Sequence, residues 1–137
     1  MYDADRQSVH APSAEIELCQ QAIQISIMIG RRMGGTFFMC SSSLPDDGKL
    51  DLCVAGRVGR TRTVRLFFKF LKGTQEGSAD IVTSRSAQFE VAAERGALLV
   101  HSDGETICID GSSLVAECVP NAIQVVTSSP RPDRAAH

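Results

Sequence analysis

Residues 22–29 place Ile23, Ile25, Ile27 and Ile29 at every second position, which puts four isoleucines on one face of a strand. Further short apolar runs lie at 36–40, 50–58, 79–83, 87–92, 98–100, 106–109, 114–119 and 122–127. Gly, Ser, Asp, Asn and Pro separate them and supply turn geometry. Many short strands with regular turn signals predict a mainly β fold, either an antiparallel β-sandwich or an open barrel. One segment has another period. Over 61–72, Val64, Phe67, Phe68 and Leu71 recur at helical spacing and predict an amphipathic helix with that stripe inward. Gly73 is a natural stop, and Lys69 and Lys72 complement the dipole of the last turn. Leu66 and Phe70 fall on the remaining side and are expected to be partly exposed.

The length of 137 residues suits one domain with a real core. Residues 1–14 are polar and contain Pro12, so they read as a flexible lead-in. Residues 15–127 carry the β domain. The Ser- and Pro-rich stretch 128–137 reads as a disordered tail. With 14 basic and 16 acidic residues, one Tyr and no Trp, the chain is a poor candidate for nucleic-acid binding. The five cysteines form no CxxC and are odd in number, which predicts free thiols in a reducing compartment. His10, His101 and His137 have no zinc-ligand spacing. No apolar signal core or membrane-length run is present, so a cytoplasmic protein is expected.

Four constellations could carry chemistry. The first is Leu44-Pro45-Asp46-Asp47-Gly48-Lys49-Leu50-Asp51. It is either a solvated turn or a place where carboxylate and main-chain carbonyls meet a hard cation, with Asp47 as charged ligand and the Leu44 and Lys49 carbonyls beside it. The second is His101-Ser102-Asp103-Gly104-Glu105, a strong hairpin signal in which Glu105 could project toward a substrate hydroxyl and take its proton. The third is Gly34-Gly35, a bulge or tight turn, or a point of close approach by a ligand or neighbouring domain. The fourth is the basic flank Arg62, Arg65, Lys69 and Lys72 of the predicted helix. It is a solvated face, or one that suits an anionic membrane surface or an acidic partner.

In this order, Gly34-Gly35, Asp46-Asp47-Gly48-Lys49-Leu50-Asp51, a basic apolar helix and Asp103-Gly104-Glu105 resemble the C-terminal domain of the diacylglycerol kinase, sphingosine kinase and bacterial lipid kinase family, within the NAD kinase/diacylglycerol kinase-like superfamily. The resemblance covers about 23–126. It implies a β-sandwich that closes a cleft against an N-terminal nucleotide-binding domain carrying Gly-Gly-Asp-Gly-Thr. It also implies a structural Mg2+ held by Asp47 with the Leu44 and Lys49 carbonyls, and Glu105 of the Asp-Gly-Glu motif as the base. The family commonly has three consecutive glycines, whereas Thr36 stands third here, and Pro45 stiffens the acidic turn. No Gly-Gly-Asp-Gly-Thr occurs in this chain.

The resemblance therefore implies the substrate-side domain of an ATP-dependent lipid kinase, with ATP held mainly by the partner domain. Diacylglycerol or a related lipid would be the substrate, and the protein would sit peripherally at the membrane. Two acid-bearing turns, at Asp47 and at Glu105, are expected to converge beside one cleft. A lipid- or protein-binding β module without catalysis and an NAD-kinase-like domain are the rival readings. Exposed sheet edges could pair two copies as a homodimer.

Overall fold

Strand β6 (Leu50–Gly56) organises the molecule because both of its faces are buried. Leu50, Leu52 and Val54 point one way into a core shared with Val9, Ala11, Phe89, Val91 and Leu98. Cys53 and Ala55 point the other way and pack with Met39, Cys40, Leu66 and Ile81. The period of two thus feeds two cores from one strand. Leu52 and Val54 are completely buried, a gain of about 1.5–3 kcal/mol for each side chain.

The computed structural model describes residues 6–11 and 16–126. The other strands are β1 (Arg6–Ala11), β2 (Ile16–Gln20), β3 (Ala22–Met28), β4 (Arg32–Met33), β5 (Phe37–Phe38), β7 (Ile81–Ser86), β8 (Gln88–Arg95), β9 (Leu98–Ser102), β10 (Glu105–Gly111) and β11 (Ser113–Glu117). One sheet has the order β11-β8-β1-β2 and a second the order β3-β6-β7. Two-stranded ribbons β10-β9 and β4-β5 complete the β structure, and all pairings are antiparallel. The first core lies between β1 and β8 of one sheet and β6 of the other, which is the arrangement of a β-sandwich; the strand order closes no barrel among the described residues.

Helix α1 (Arg60–Lys72) covers the outer face of β6. It ends as its sequence predicts. Gly73 takes the left-handed conformation (φ 68°), its N–H donates to the Lys69 carbonyl, and Lys69 and Lys72 occupy the last turn. A Cβ at position 73 would stand 3.1 Å from Ser41 Oγ and 3.2 Å from Phe38 Cγ, so close packing also requires glycine there.

Several expectations are corrected. Within the stretch read as a flexible lead-in, residues 6–11 form β1, whose Val9 and Ala11 enter the core. Residues 1–5 and 12–14, and the tail 128–137, lie outside the described residues. Of the four isoleucines, Ile25 and Ile27 pack on the core while Ile23 and Ile29 are about half exposed. Ile23 is the extra residue where the β3–β6 register shifts, and a bulge turns its side chain out of the alternation. The buried side of α1 is Leu66, with Phe70 packed beside it, and not the stripe of Val64, Phe67 and Phe68. Those three are exposed; Phe67 meets Phe37 edge-on at 5.3 Å and Phe68 at 5.7 Å. Two bonds to the segment before β7 fix this roll of the helix: Arg62 pairs with Asp80 at 3.1 Å, and Lys69 donates to Ser78 Oγ at 2.7 Å. The run 122–127 forms no strand over its described part, 122–126. Pro120 and the left-handed Asn121 (φ 58°) turn the chain away after β11.

The five cysteines are free thiols. Cys40 and Cys53 are buried side by side. The hydrogen bond that Cys40 donates to Cys53 and burial both push the Cys40 thiol up, so it stays neutral.

Candidate functional site

The hairpin between β9 and β10 turns on two residues. Asp103 (φ 50°) and Gly104 (φ 88°) are its two central residues, flanked by the Ser102–Glu105 pair. Positive φ at both positions is the type I′ geometry that matches strand twist, and it explains Asp-Gly at this point. Glu105 opens β10 and is exposed. His101 and Thr106 pair across the ribbon through Nδ1 and Oγ1 at 3.2 Å, with donor and acceptor set by the tautomer.

This hairpin borders a cleft of about 980 Å³. One wall is β3 (residues 22–28), the other is 97–99 and 101–104, and residues 32–34 lie at its border. Ile25, Ile27, Met33, Leu98 and Leu99 supply its apolar surface, while Gln7, Gln24, Ser26, Arg32, His101, Ser102 and Asp103 make about half of the lining polar. Clefts that combine apolar walls with convergent polar groups are where small molecules bind. Two motifs read from the sequence, Gly34 and Asp103-Gly104, therefore meet at one cavity although almost seventy residues separate them. Gly34 (φ 58°) and Gly35 (φ 74°) form the turn between β4 and β5, with open space where a side chain would stand. Both glycines are required by the backbone, and their bare surface leaves room for close approach.

The acidic turn lies elsewhere. None of Leu44, Asp47 and Lys49 lines this cleft, so the expected convergence of both acidic turns on one cavity is not found. Gly48 (φ 72°) packs toward Pro120, which would lie 3.5 Å from an added Cβ. Asp47 Oδ1 accepts from the Lys49 N–H at 3.0 Å, closing the turn on itself. Its Oδ2 faces Arg85 Nη1 at 3.6 Å. Arg85 Nε donates to Asp51 Oδ1 at 2.9 Å, and Nη2 donates to the Ser42 carbonyl at 2.7 Å. The hydrogen bond to Asp51, with the charges of Asp51 and Asp47, holds the Arg85 guanidinium yet more firmly protonated than usual.

These residues can be weighed against the divalent ion that the resemblance implies. The donor set has the oxygen chemistry of such a site, but Asp47 already closes its own turn and neutralises a guanidinium. A divalent ion on Asp47 would stand beside a fixed positive charge in a partly buried turn, and that repulsion works against it. No cluster of three or more His, Cys, Asp or Glu side chains suited to a metal occurs among the described residues. The turn as folded fits a resident arginine better than a resident divalent ion.

The basic flank of α1 is only partly available. Exposed Arg62 pairs with Asp80 and half-buried Lys69 donates to Ser78, whereas no such tie to 78–80 holds the exposed Arg65 and Lys72. Sequence reasoning missed one residue of these sites; His101 already stood in the hairpin constellation, without a role of its own. Arg85 carried no local signal, because it meets Asp51 only through the β6–β7 register.

Fold and site together define an antiparallel β-sandwich domain with one helix and an open cleft between a glycine turn and an Asp-Gly hairpin. Within that class, the family described as the YegS C-terminal NAD kinase beta sandwich-like domain matches residues 5–127, and the chain belongs to this family. It is 32% identical over 104 residues to a probable lipid kinase YegS-like protein of Stenotrophomonas maltophilia (strain K279a), covering 75% of this chain and 33% of that protein. It is 31% identical over 96 residues to a diacylglycerol kinase of Mycobacterium tuberculosis (strain ATCC 25618 / H37Rv), covering 70% and 30%. The chain thus spans about a third of the length of these curated relatives. Among solved structures, two of a putative diacylglycerol kinase from Bacillus anthracis str. Sterne share the fold. One has a TM-score of 0.61 at 21% identity, over 86% of this chain and 38% of that one. The other has a TM-score of 0.63 at 18% identity, over 88% and 39%. No helix among the described residues is long and apolar enough to cross a membrane.

Proposed function

We propose that this chain is the substrate-side domain of an ATP-dependent lipid kinase, one that moves the terminal phosphate of ATP to the hydroxyl of diacylglycerol or a similar lipid. The observation that carries this reading is the meeting of Gly34 with Asp103-Gly104 at one cleft of mixed apolar and polar lining, in a domain whose family includes lipid kinases. The apolar wall of Ile25, Ile27, Leu98 and Leu99 suits the hydrocarbon part of such a substrate. Glu105, exposed at the end of the hairpin, is the group to accept the hydroxyl proton as that oxygen attacks phosphorus. Asp103 shapes the turn that presents it. Gly34 and Gly35 offer bare backbone toward a separate N-terminal nucleotide-binding domain, which would hold ATP with its Mg2+. Arg62, Arg65, Lys69 and Lys72 would face an anionic membrane surface, with Arg65 and Lys72 contributing most because Arg62 and Lys69 are engaged with Asp80 and Ser78.

The test is phosphate transfer from ATP to diacylglycerol by this domain joined to a nucleotide-binding domain. Glu105→Gln should lower kcat about 100- to 10,000-fold with unchanged thermal stability. Near-normal turnover would remove Glu105 from the reaction. The chain 1–137 by itself should transfer no phosphate.

One observation favours a second reading, a binding module without catalysis. Val64, Phe67 and Phe68 are exposed beside basic residues on α1, as in a surface that docks on lipid. Vesicle sedimentation separates the two. Binding that survives Glu105→Gln and vanishes with Arg65→Ala and Lys72→Ala, in a joined enzyme that transfers no phosphate, supports the binding module.

A further inference from the structure

The loop from 39 to 49 joins β5 to β6, and side chains from distant elements hold it. Gln75 Nε2 donates to the carbonyls of Phe38 at 2.6 Å and Met39 at 2.9 Å. Glu76 Oε1 accepts from the N–H groups of Ser41 and Ser42 at 2.6 and 3.3 Å. Arg31 Nε donates to the Ser43 carbonyl at 2.9 Å, and Ser43 Oγ donates to the Ile29 carbonyl at 3.0 Å. The last tie is Arg85. Its three guanidinium nitrogens reach three places: the Ser42 carbonyl early in the loop, Asp47 in the acidic turn, and Asp51 at the start of β6.

We infer that Arg85 is the built-in counter-ion of the acidic turn, taking the charge-neutralising and cross-linking role that a divalent ion would otherwise fill, so that the turn holds its shape without bound metal. The charges make this consistent. Two carboxylates and one guanidinium leave a single net negative charge, which water around Asp47 can screen. Asp51 is far less tolerant. Its side chain is 5% exposed, Oδ1 depends on Arg85, and Oδ2 is buried with no partner. Without Arg85 a buried carboxylate would be left uncompensated beside a second one, and a divalent cation would become the simplest remedy. The planar fork of arginine is needed to reach three acceptors at once; a lysine ammonium offers a point charge and no such geometry.

The experiment is thermal unfolding of the chain 1–137 at fixed ionic strength, in EDTA and in millimolar MgCl2 or CaCl2. It reads folding and not phosphate transfer, so its outcome is independent of the kinase reading. The wild type should unfold at the same temperature in all three. Arg85→Gln in EDTA should unfold roughly 10 °C lower and recover part of that loss with the divalent ion. Arg85→Lys should fall between the two. A wild-type midpoint that drops in EDTA and returns with Mg2+ or Ca2+ would overturn the inference and assign a resident ion to Asp47 or to the orphan oxygen of Asp51. An Arg85→Gln midpoint equal to that of the wild type in EDTA would also overturn it. If Arg85→Gln does not fold at all, the wild-type comparison in EDTA still decides.

Discussion

The acidic turn at 44–51 and the Asp-Gly hairpin at 102–105 use nearly the same residue types and end up opposite in kind. In the first, Asp47 closes its own turn, Asp51 is buried, and one arginine from β7 takes charge from both. In the second, Asp103, Gly104 and Glu105 are all exposed, and the first two line a cleft. An acid whose charge is satisfied inside the fold holds the fold. Acids left exposed beside a cleft do not hold the fold in that way. The contrast separates a turn tied into the fold from a turn left exposed at a cleft, a division that motif spacing alone does not make.

Variants sharpen this contrast. After the loss of turnover expected for Glu105→Gln, the largest effect should come from the structural turn. Asp51→Ala leaves Arg85 without its closer carboxylate partner in a partly buried site and should cost about 3–5 kcal/mol in urea unfolding. Equal stability of this variant and the wild type would break the division. In the hairpin, Gly104→Ala forces a side chain into left-handed backbone and should cost about 1–2 kcal/mol by the same measurement. That loss should exceed the effect of Glu105→Gln on stability, which should be within about 0.5 kcal/mol for an exposed site. The smallest effects should be on the helix. Arg65→Ala and Lys72→Ala should each weaken binding to phosphatidylserine vesicles by about 1 kcal/mol, less at high salt, with no change in unfolding.

Much of the fold was legible in the sequence because its strands carry their own signals. The apolar run of β6, the Asp-Gly of the hairpin and the Gly73 stop of α1 are local properties, and each element formed where its residues predict. Strand β1 was missed although Val9 and Ala11 alternate with exposed His10, because six polar-rich residues before Pro12 give the pattern little length. The roll of α1 was read from its widest apolar stripe. The sheet instead took the Leu66–Phe70 side, the same side on which Arg62 and Lys69 bond to Asp80 and Ser78. The same logic divides the site. Gly34, Gly35, Asp103 and Glu105 are turn residues, and turns announce themselves. Arg85 faces Asp51 only once β6 and β7 pair across 34 residues, and no spacing rule reaches that far.

The most direct test of the central claim is photo-crosslinking of the chain with a photoactivatable diacylglycerol in mixed micelles, with the adducts mapped by mass spectrometry. Adducts concentrated on residues 22–28 and 97–104, displaced by unlabelled diacylglycerol, are the predicted result. Adducts confined to the exposed face of α1, or undiminished by competitor, would contradict it.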